Sequence, residues 1–310
     1  MNTLRIATRS SDLALAQARG VAARIEATLG VATELVLVTT SGDRLQHVKL
    51  ADVGGKGLFV KEIEEALLDG RADLAVHSAK DLPALLAPGL VLAACPERAD
   101  ARDALVTRQG MGSLAALARG ARVGTGSSRR AAQLLAARPD LEIVPLRGNV
   151  PTRLRKLESE SLDAVVLAAA GLERLGLGGR IAERIEVDVL LPALGQGTLA
   201  LEARGGDPMV RDLGRLEDPR ARAALDAERA FLRRLEGDCH VPLAGLASVE
   251  GGRVHLRGLV ASEDGVSIVR GEGSSDVEQA ALAGERAADA VLGAGGAEIL
   301  AALRGEPRRR

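Results

Sequence analysis

The chain of 310 residues has no tryptophan and no tyrosine, and Phe59 and Phe231 are its only phenylalanines. Proteins that bind single-stranded nucleic acid stack bases on aromatic side chains, so this scarcity argues against such a partner. The formal net charge is −1, which supplies no overall positive field to attract nucleic acid or an acidic membrane. We therefore expect neither nucleic acid nor a membrane as a partner, and local basic patches must account for any anion binding.

Cysteine is also scarce, since Cys95 and Cys239 are the only two. Two cysteines cannot form a structural zinc set or a disulfide framework, and no second Cys or His lies near Cys95 in sequence. Cys239 is followed by His240, which raises the question of a metal site or a catalytic nucleophile. Adjacent residues rarely both ligate one ion, and nothing points to a third group that would orient a Cys/His pair. We expect no metal.

Long apolar runs are missing as well. No stretch reaches the 18 or so apolar residues of a membrane span, and the N-terminal segment lacks the pattern of a signal peptide. We therefore expect a cytoplasmic protein. Arginine supplies most of the 41 basic residues, either through genomic composition bias or because guanidinium groups bind carboxylates and phosphates bidentately, and composition does not separate the two.

The order of strand-like and helical segments predicts an α/β fold with two or three domains. Apolar segments such as 4–8 alternate with amphipathic helical segments over the first ninety-odd residues, and the first helix begins after Ser10 or Ser11 and ends at Gly30. Strands separated by helices imply a parallel sheet. The pattern restarts over roughly 100–190, and 220–310 reads as a smaller α+β unit.

Three segments join a strand end to a helix start with small and basic residues: 8–11, 125–130 and 147–153. Backbone N–H groups at a helix N-terminus, with arginines in front, form an anion site, and in open α/β sheets such segments gather at the carboxyl ends of the strands. Each one alone could be an ordinary helix cap. Together they indicate a small polyanionic ligand, and we call these segments crests.

The stretch AVHSAKDLP places Asp81 after an apolar strand and beside Lys80. An ionised carboxylate there could stabilise a developing cation or accept hydrogen bonds from ligand N–H groups; the alternative is a turn aspartate ahead of Pro83. His77 is a core or strand-end histidine, or part of the site. Lys56 and Lys61 flank a glycine-rich helix entry that reads as a flexible lid or as a solvated turn, without the spacing of a phosphate loop.

The motifs VGGKGLFVKE, AVHSAKDLP, RADARDALV, VGTGSSRR, LRGNVPTRLRKL, AGLERLGL, LPALGQG and LEGDCHVPLAG occur in the order and spacing of one family. Over residues 4–304 the chain resembles the porphobilinogen deaminases, also called hydroxymethylbilane synthases. The resemblance implies two domains like the halves of a type II periplasmic binding protein, 1–97 with about 197–216 and 98–196, and a smaller α+β domain, 217–310. It also implies a monomer.

The resemblance implies an activity as well. These transferases condense four porphobilinogen molecules head to tail, with loss of ammonia, into the linear tetrapyrrole hydroxymethylbilane. Growth occurs on a dipyrromethane cofactor held by a thioether to the cysteine that matches Cys239. Asp81 matches the catalytic aspartate, and the lid matches Lys56, Phe59 and Lys61. The positions that bind cofactor and substrate match Arg9, Ser11, Lys80, Thr125, Ser127, Arg129, Arg130, Arg147, Gly148, Arg153 and Gln196.

The chain departs from the family pattern at a few positions. Gly126 stands where a serine is common, Asp238 replaces the glycine usual before the cysteine, and His240 stands where Gln or Ser is frequent. None removes a group that the chemistry requires. Two other classes of function stay open on the residues alone: a two-lobed anion-binding protein without catalysis, and a Cys/His hydrolase, which would leave the thiol of Cys239 open to alkylation.

Overall fold

The computed structural model describes residues 3–44, 60–236 and 241–305. The chain divides into two compact units by its contacts. The first comprises residues 1–99 and 197–222, and the second comprises residues 100–196 and 223–310. Across the described ranges, no helix is both long and apolar enough to cross a membrane.

The first unit is built on a five-stranded sheet, whose strands are β1 (Leu4–Thr8), β2 (Thr33–Leu37), β3 (Leu74–Ser78), β4 (Leu90–Ala94) and β10 (Leu199–Arg204). Their order in the sheet is β2-β1-β3-β10-β4. Strands β1, β2 and β3 are parallel, whereas β10 lies antiparallel between β3 and β4. The alternation of strands and helices predicts only parallel neighbours, but β10 enters this sheet after the whole 100–196 segment rather than through one crossover helix. All strands are numbered in chain order.

Helices cover both faces of this sheet. The side chain of Ser11 accepts a hydrogen bond from the N–H of Ala14, which caps the first helix, and Gly30 ends it in the left-handed conformation at φ 67°. This helix packs on one face, through Val21 and Ile25, and the third helix packs on the other. The helices of this unit are α1 (Asp12–Leu29), α2 (Ser41–Arg44), α3 (Lys61–Leu68) and α7 (Met209–Leu213).

The second unit contains another five-stranded sheet, whose strands are β5 (Asp103–Thr107), β6 (Arg122–Thr125), β7 (Glu142–Pro145), β8 (Ala164–Ala168) and β9 (Glu183–Arg184). Their order in the sheet is β7-β6-β8-β5-β9. Here β6 is parallel to both neighbours, and β5 is antiparallel to β8. Apolar clusters lie on both of its faces. The helices that connect these strands are α4 (Ser128–Ala137), α5 (Val150–Ser159) and α6 (Ala169–Arg174).

The same unit also contains a three-stranded antiparallel sheet backed by helices. Phe231 is fully buried in this core, and its ring lies against Gly258, where a built Cβ would come within 2.4 Å of the ring. Only a glycine therefore fits at that point of the sheet. The elements are α8 (Pro219–Arg234), which belongs to this unit from residue 223 onwards, β11 (Leu243–Glu250), β12 (Arg253–Ala261), β13 (Ile268–Asp276), α9 (Ala280–Val291) and α10 (Ala297–Leu303).

Within the second unit, the small sheet packs against helix α4. Ala132 of α4 shares a buried apolar cluster with Leu191 and with Ala244, Leu259 and Ala261 of the small sheet. The predicted fold class, two α/β domains with a smaller C-terminal α+β domain, is confirmed. The boundaries of the three domains stay a prediction.

Candidate functional site

The first unit places four of the predicted residues at one edge of its sheet. Arg9 and Ser11 follow β1, and Lys80 and Asp81 lie in a short 3₁₀ turn directly after β3. Because β1 and β3 are parallel neighbours, their carboxyl ends meet at the same edge. Ser11 is the N-cap of α1, so the cap interpretation of this crest holds for its side chain. Asp81 is exposed to solvent.

The turn that carries Asp81 is held from both sides. The side-chain amide of Gln17 on α1 donates a hydrogen bond of 2.8 Å to the hydroxyl of Ser78, the last residue of β3. The N–H of Ala79 donates to the carbonyl of Thr198 at 3.0 Å. The carboxylate of Asp81 therefore starts from a backbone that two neighbouring elements hold in place.

His77 is a buried residue one position before that strand end. Its Nε2 forms a hydrogen bond of 2.9 Å with Oε2 of Glu202, and both side chains are almost completely buried. The two residues lie 125 positions apart, on strands β3 and β10, so the sequence does not reveal the pair. Of the interpretations left open, the strand-end core histidine is the one that its burial matches.

The second unit places two crests at the carboxyl edge of its own sheet. Thr125 ends β6, and the N–H of Ser127 donates to its hydroxyl at 3.3 Å. Arg147 and Gly148 follow β7, the parallel neighbour of β6. A Cβ built on Gly126 would lie 4.0 Å from Nη2 of Arg153, so the two crests are in direct proximity.

The loop of the second crest has a defined backbone. The side chain of Asn149 caps α5 by accepting from the N–H of Thr152 at 3.0 Å. Gly148 has φ 109°, and a Cβ there would come within 2.7 Å of the side chain of Thr152, so this position requires glycine. The Nε of Arg153 donates to the carbonyl of Gly148 at 2.7 Å. Arg147 is exposed and Arg153 is half-buried.

Arg129 and Arg130 are more deeply buried than Arg147 and Arg153, since both are only 5% exposed. Both donate to the carboxylate of Asp103, the first residue of β5, with shortest distances of 2.7 and 2.6 Å. Gln196 donates to the same carboxylate at 2.9 Å. Three residues that the resemblance assigns to ligand binding thus converge on one buried aspartate of the protein itself.

Asp103 is a residue of this arrangement that the sequence interpretation overlooked. Burial alone would raise the pKa of its carboxyl, but the guanidinium groups of Arg129 and Arg130 outweigh burial and hold that pKa well below its usual range. Burial lowers the pKa of Arg129 from its ordinary value, while Asp103 opposes that change. The signal was present as a charged residue at the start of the apolar segment DALVT.

Several predicted residues lie outside the described residues: the proposed anchor Cys239 with His240, and Lys56 and Phe59 of the lid. Lys61 of the lid is the first residue of α3. Within the described ranges, no group of three or more His, Cys, Asp or Glu side chains is placed to hold a metal ion.

Comparison of the sequence with known proteins identifies a family. A sequence model described as "Porphobilinogen deaminase, dipyromethane cofactor binding domain" matches residues 4–212, and one described as "Porphobilinogen deaminase, C-terminal domain" matches residues 223–293. The chain belongs to the porphobilinogen deaminase family. The resemblance read from the motifs is therefore confirmed.

Curated relatives extend over nearly the whole chain. The porphobilinogen deaminase of Syntrophotalea carbinolica is 55% identical over 97% of this chain and 96% of its own length. That of Roseiflexus castenholzii is 53% identical over 97% and 99%. Among solved structures, an ABC transporter periplasmic substrate-binding protein from Coxiella burnetii has a TM-score of 0.43 and 16% identity, covering 68% of this chain and 90% of its own.

The donor set of the second unit fits a cofactor that carries carboxylates. Two guanidinium groups share one aspartate at the base of the crests, while Arg147 and Arg153 lie in the neighbouring loop and helix. Guanidinium groups are well suited to carboxylates because their planar forks match the two oxygens. The described residues therefore have the chemistry that a dipyrromethane requires of its binding site.

Proposed function

We propose that this chain is a hydroxymethylbilane synthase. It condenses four porphobilinogen molecules head to tail, releases four ammonia molecules and produces linear hydroxymethylbilane, with a dipyrromethane cofactor attached through a thioether to Cys239. Membership of the porphobilinogen deaminase family carries the proposal. The presence of both Asp81 and Cys239 supports it over an anion-binding protein without catalysis.

Asp81 is the proposed catalytic residue. Loss of ammonia from porphobilinogen leaves a methylene-pyrrole cation, and a fixed carboxylate stabilises that developing charge without having to reorganise. The ties of Ser78 to Gln17 and of Ala79 to Thr198 support this role, because they restrict the backbone from which Asp81 projects. The same carboxylate can accept hydrogen bonds from pyrrole N–H groups.

The crest residues are the proposed carboxylate-binding groups. In the first unit the carboxylate-binding residues are Arg9, Ser11 and Lys80. In the second unit they are Thr125, Ser127, Arg129, Arg130, Arg147, Gly148, Arg153 and Gln196. When bound, the dipyrromethane supplies the free pyrrole carbon on which the chain grows, and each pyrrole brings two carboxylates. Charge-assisted hydrogen bonds from these side chains hold and orient it. Lys56, Phe59 and Lys61 form the proposed lid.

The organisation of the molecule completes the proposal. We assign three domains, 1–97 with about 197–216, 98–196 and 217–310, and a monomer in the cytoplasm. The antiparallel pairing of β10 with β3 and β4 supports the first of these boundaries. Size-exclusion chromatography with light scattering checks the monomer, and a stable dimer would contradict it.

Intact mass with peptide mapping tests the cofactor assignment. The purified chain is expected to carry a dipyrrole adduct on the peptide that contains Cys239, and to give the colour reaction of a pyrrole with a free α position. An unmodified Cys239 in active protein would contradict the assignment. A thiol that is readily alkylated, without release of ammonia from porphobilinogen, would favour the hydrolase alternative.

Asp81→Asn tests the catalytic assignment. The variant is expected to fold and to retain the adduct, while turnover of porphobilinogen falls by about two to three orders of magnitude, which is what one electrostatic group supplies. Asp69→Asn is the control, because Asp69 is an exposed carboxylate of the same unit at the end of α3. Turnover of Asp81→Asn equal to that of Asp69→Asn would refute the role of Asp81.

A further inference from the structure

Asp103 lies at the centre of a buried ionic cluster. The side chain of Asp103 is inaccessible to solvent, and those of Arg129 and Arg130 are 5% and 6% exposed. Counted over the described residues that contact one another here, two cations and one anion leave a single positive charge. A buried charge is costly unless it is paired, so this remaining positive charge favours an additional anionic partner.

The hydrogen bonds of the cluster fix both guanidinium groups. Oδ2 of Asp103 accepts from Nη1 of Arg129 at 2.7 Å, and Oδ1 accepts from Nε and Nη2 of Arg130 at 2.9 and 2.6 Å. Backbone carbonyls complete the orientation: that of Leu191 accepts from Arg129 at 2.7 Å, and that of Val166 accepts from Arg130 at 3.1 Å. Neither arginine can rotate without breaking several of these bonds.

Gln196 belongs to the same cluster. Its side-chain nitrogen donates to Oδ1 of Asp103 at 2.9 Å and to the carbonyl of Ala101 at 2.7 Å. The aspartate therefore holds three side chains from two separate segments of the chain, those of the neighbours Arg129 and Arg130 and that of Gln196. A guanidinium has five N–H donors, and the bonds of Arg129 and Arg130 to described residues use three on each.

We propose that Asp103 is a positioning residue, which orients Arg129, Arg130 and Gln196 as one unit and leaves a net positive charge that accepts one further carboxylate. The inference rests on the proposed function, because that carboxylate belongs to the dipyrromethane or to incoming porphobilinogen. Without Asp103 the arginines would repel each other and would lose their common acceptor. With it, the site is already arranged before the ligand carboxylate arrives.

Asp103→Asn removes the anion and keeps the shape of the side chain. The fraction of folded chains that carries the adduct, read by intact mass, is expected to fall at least about tenfold, because hydrogen bonds to charged groups contribute a factor of that size. If the ligand is instead the carboxylate of incoming porphobilinogen, loading stays normal and KM rises about tenfold with little change in kcat. The two results distinguish the two sources of the carboxylate.

Two further variants separate positioning from stability. Asp103→Glu keeps the charge but displaces the carboxylate by one methylene, so the chain is expected to fold and still to lose loading or affinity. Asp140→Asn is the matched control: Asp140 accepts from Arg138 at 2.7 Å in the same unit, and it precedes β7, at the opposite edge of the sheet from the crests. Its loading and KM are expected to match those of the unmodified chain.

Binding of citrate, a tricarboxylate probe, is measured separately as a rise in apparent Tm at constant ionic strength. If the cluster takes the carboxylate of incoming porphobilinogen, the unmodified chain is expected to show the rise, and Asp103→Asn and Asp103→Glu to lose it. If the attached dipyrromethane already fills the cluster, the rise is expected only in unmodified chain prepared without the adduct, and again not in the two variants. Loading, KM and citrate response that are all unchanged in both variants would overturn the inference. If the unmodified chain carries no adduct but its citrate response still requires Asp103, the positioning role stands and the proposed function fails.

Discussion

Replacing Gly265 by alanine tests how closely the turn between β12 and β13 packs against helix α4. A Cβ built on Gly265 would lie 2.1 Å from the carbonyl oxygen of Ala132 and 3.1 Å from the backbone nitrogen of Ala136. Gly265 also has φ 71°, a conformation that costs a side-chain-bearing residue about 1 to 2 kcal/mol. The turn and the helix must therefore separate by about 1.4 Å before an alanine fits, since atoms in close packing approach to about 3.5 Å.

Gly252→Ala is the matched control because it carries the same backbone cost without the clash. Gly252 lies in the turn between β11 and β12 at φ 76°, and no atom lies within 4 Å of a built Cβ. Overpacking costs about 1 to 3 kcal/mol, so Gly265→Ala is expected to exceed Gly252→Ala by that amount. At about 2 to 4 °C per kcal/mol for a unit of this size, its apparent Tm is expected to be lower by about 2 to 12 °C.

Differential scanning calorimetry of the three proteins measures this difference. The buried cluster around Ala132 and Leu259 lies at the same contact, so separation of the two surfaces also removes apolar packing, and the expected sign is the same for both effects. Equal melting temperatures for the two variants would refute the reasoning, because they would show that the turn moves away from α4 at no cost.

Two further predictions concern the second unit. Gly126→Ala would bring a Cβ within 2.3 Å of the carbonyl oxygen of Leu146, so we expect a loss of about 1 to 3 kcal/mol in the free energy of unfolding; an unchanged urea midpoint would contradict this. The hydrogen bond from Arg138 lowers the pKa of Asp140 from 3.8 to about 2, so its stabilising effect is complete above about pH 4 and is lost as the pH falls towards 2. Arg138→Gln is expected to flatten this acid-limb dependence of the urea midpoint, and parallel pH curves for the two proteins would contradict the assignment.

Local signals in the sequence predict the elements that depend on neighbouring residues. The helix after β1 begins at the cap Ser11 and ends at Gly30, as its sequence indicates. The hydroxyl of Ser11 accepts from an N–H only three residues further on, and Gly30 ends the helix through its own positive φ, so each signal acts within one turn. The family motifs likewise predict which residues belong to the site. Both kinds of information are carried by residues close together in the chain.

The partners of charged side chains depended on the tertiary structure. The sequence places Arg129 and Arg130 on a crest as anion-binding residues, and it does not reveal that both are buried against Asp103, 26 and 27 positions earlier. His77 allowed two interpretations until β10, on which Glu202 lies 125 positions away, proved to pair with β3. A spacing rule extends over a few residues, whereas such pairs arise only when strand order brings distant segments together.

The sequence by itself therefore determined the family and the α/β class, and its motifs predict the residues of the site. The tertiary structure decided which arginines lie exposed on the crests and which are held by an aspartate beneath them. The physical reason is that a guanidinium group has the same charge in both places. Only its burial and its hydrogen-bond acceptors, which the fold supplies, distinguish a solvent-exposed arginine from one that the protein holds in a fixed orientation.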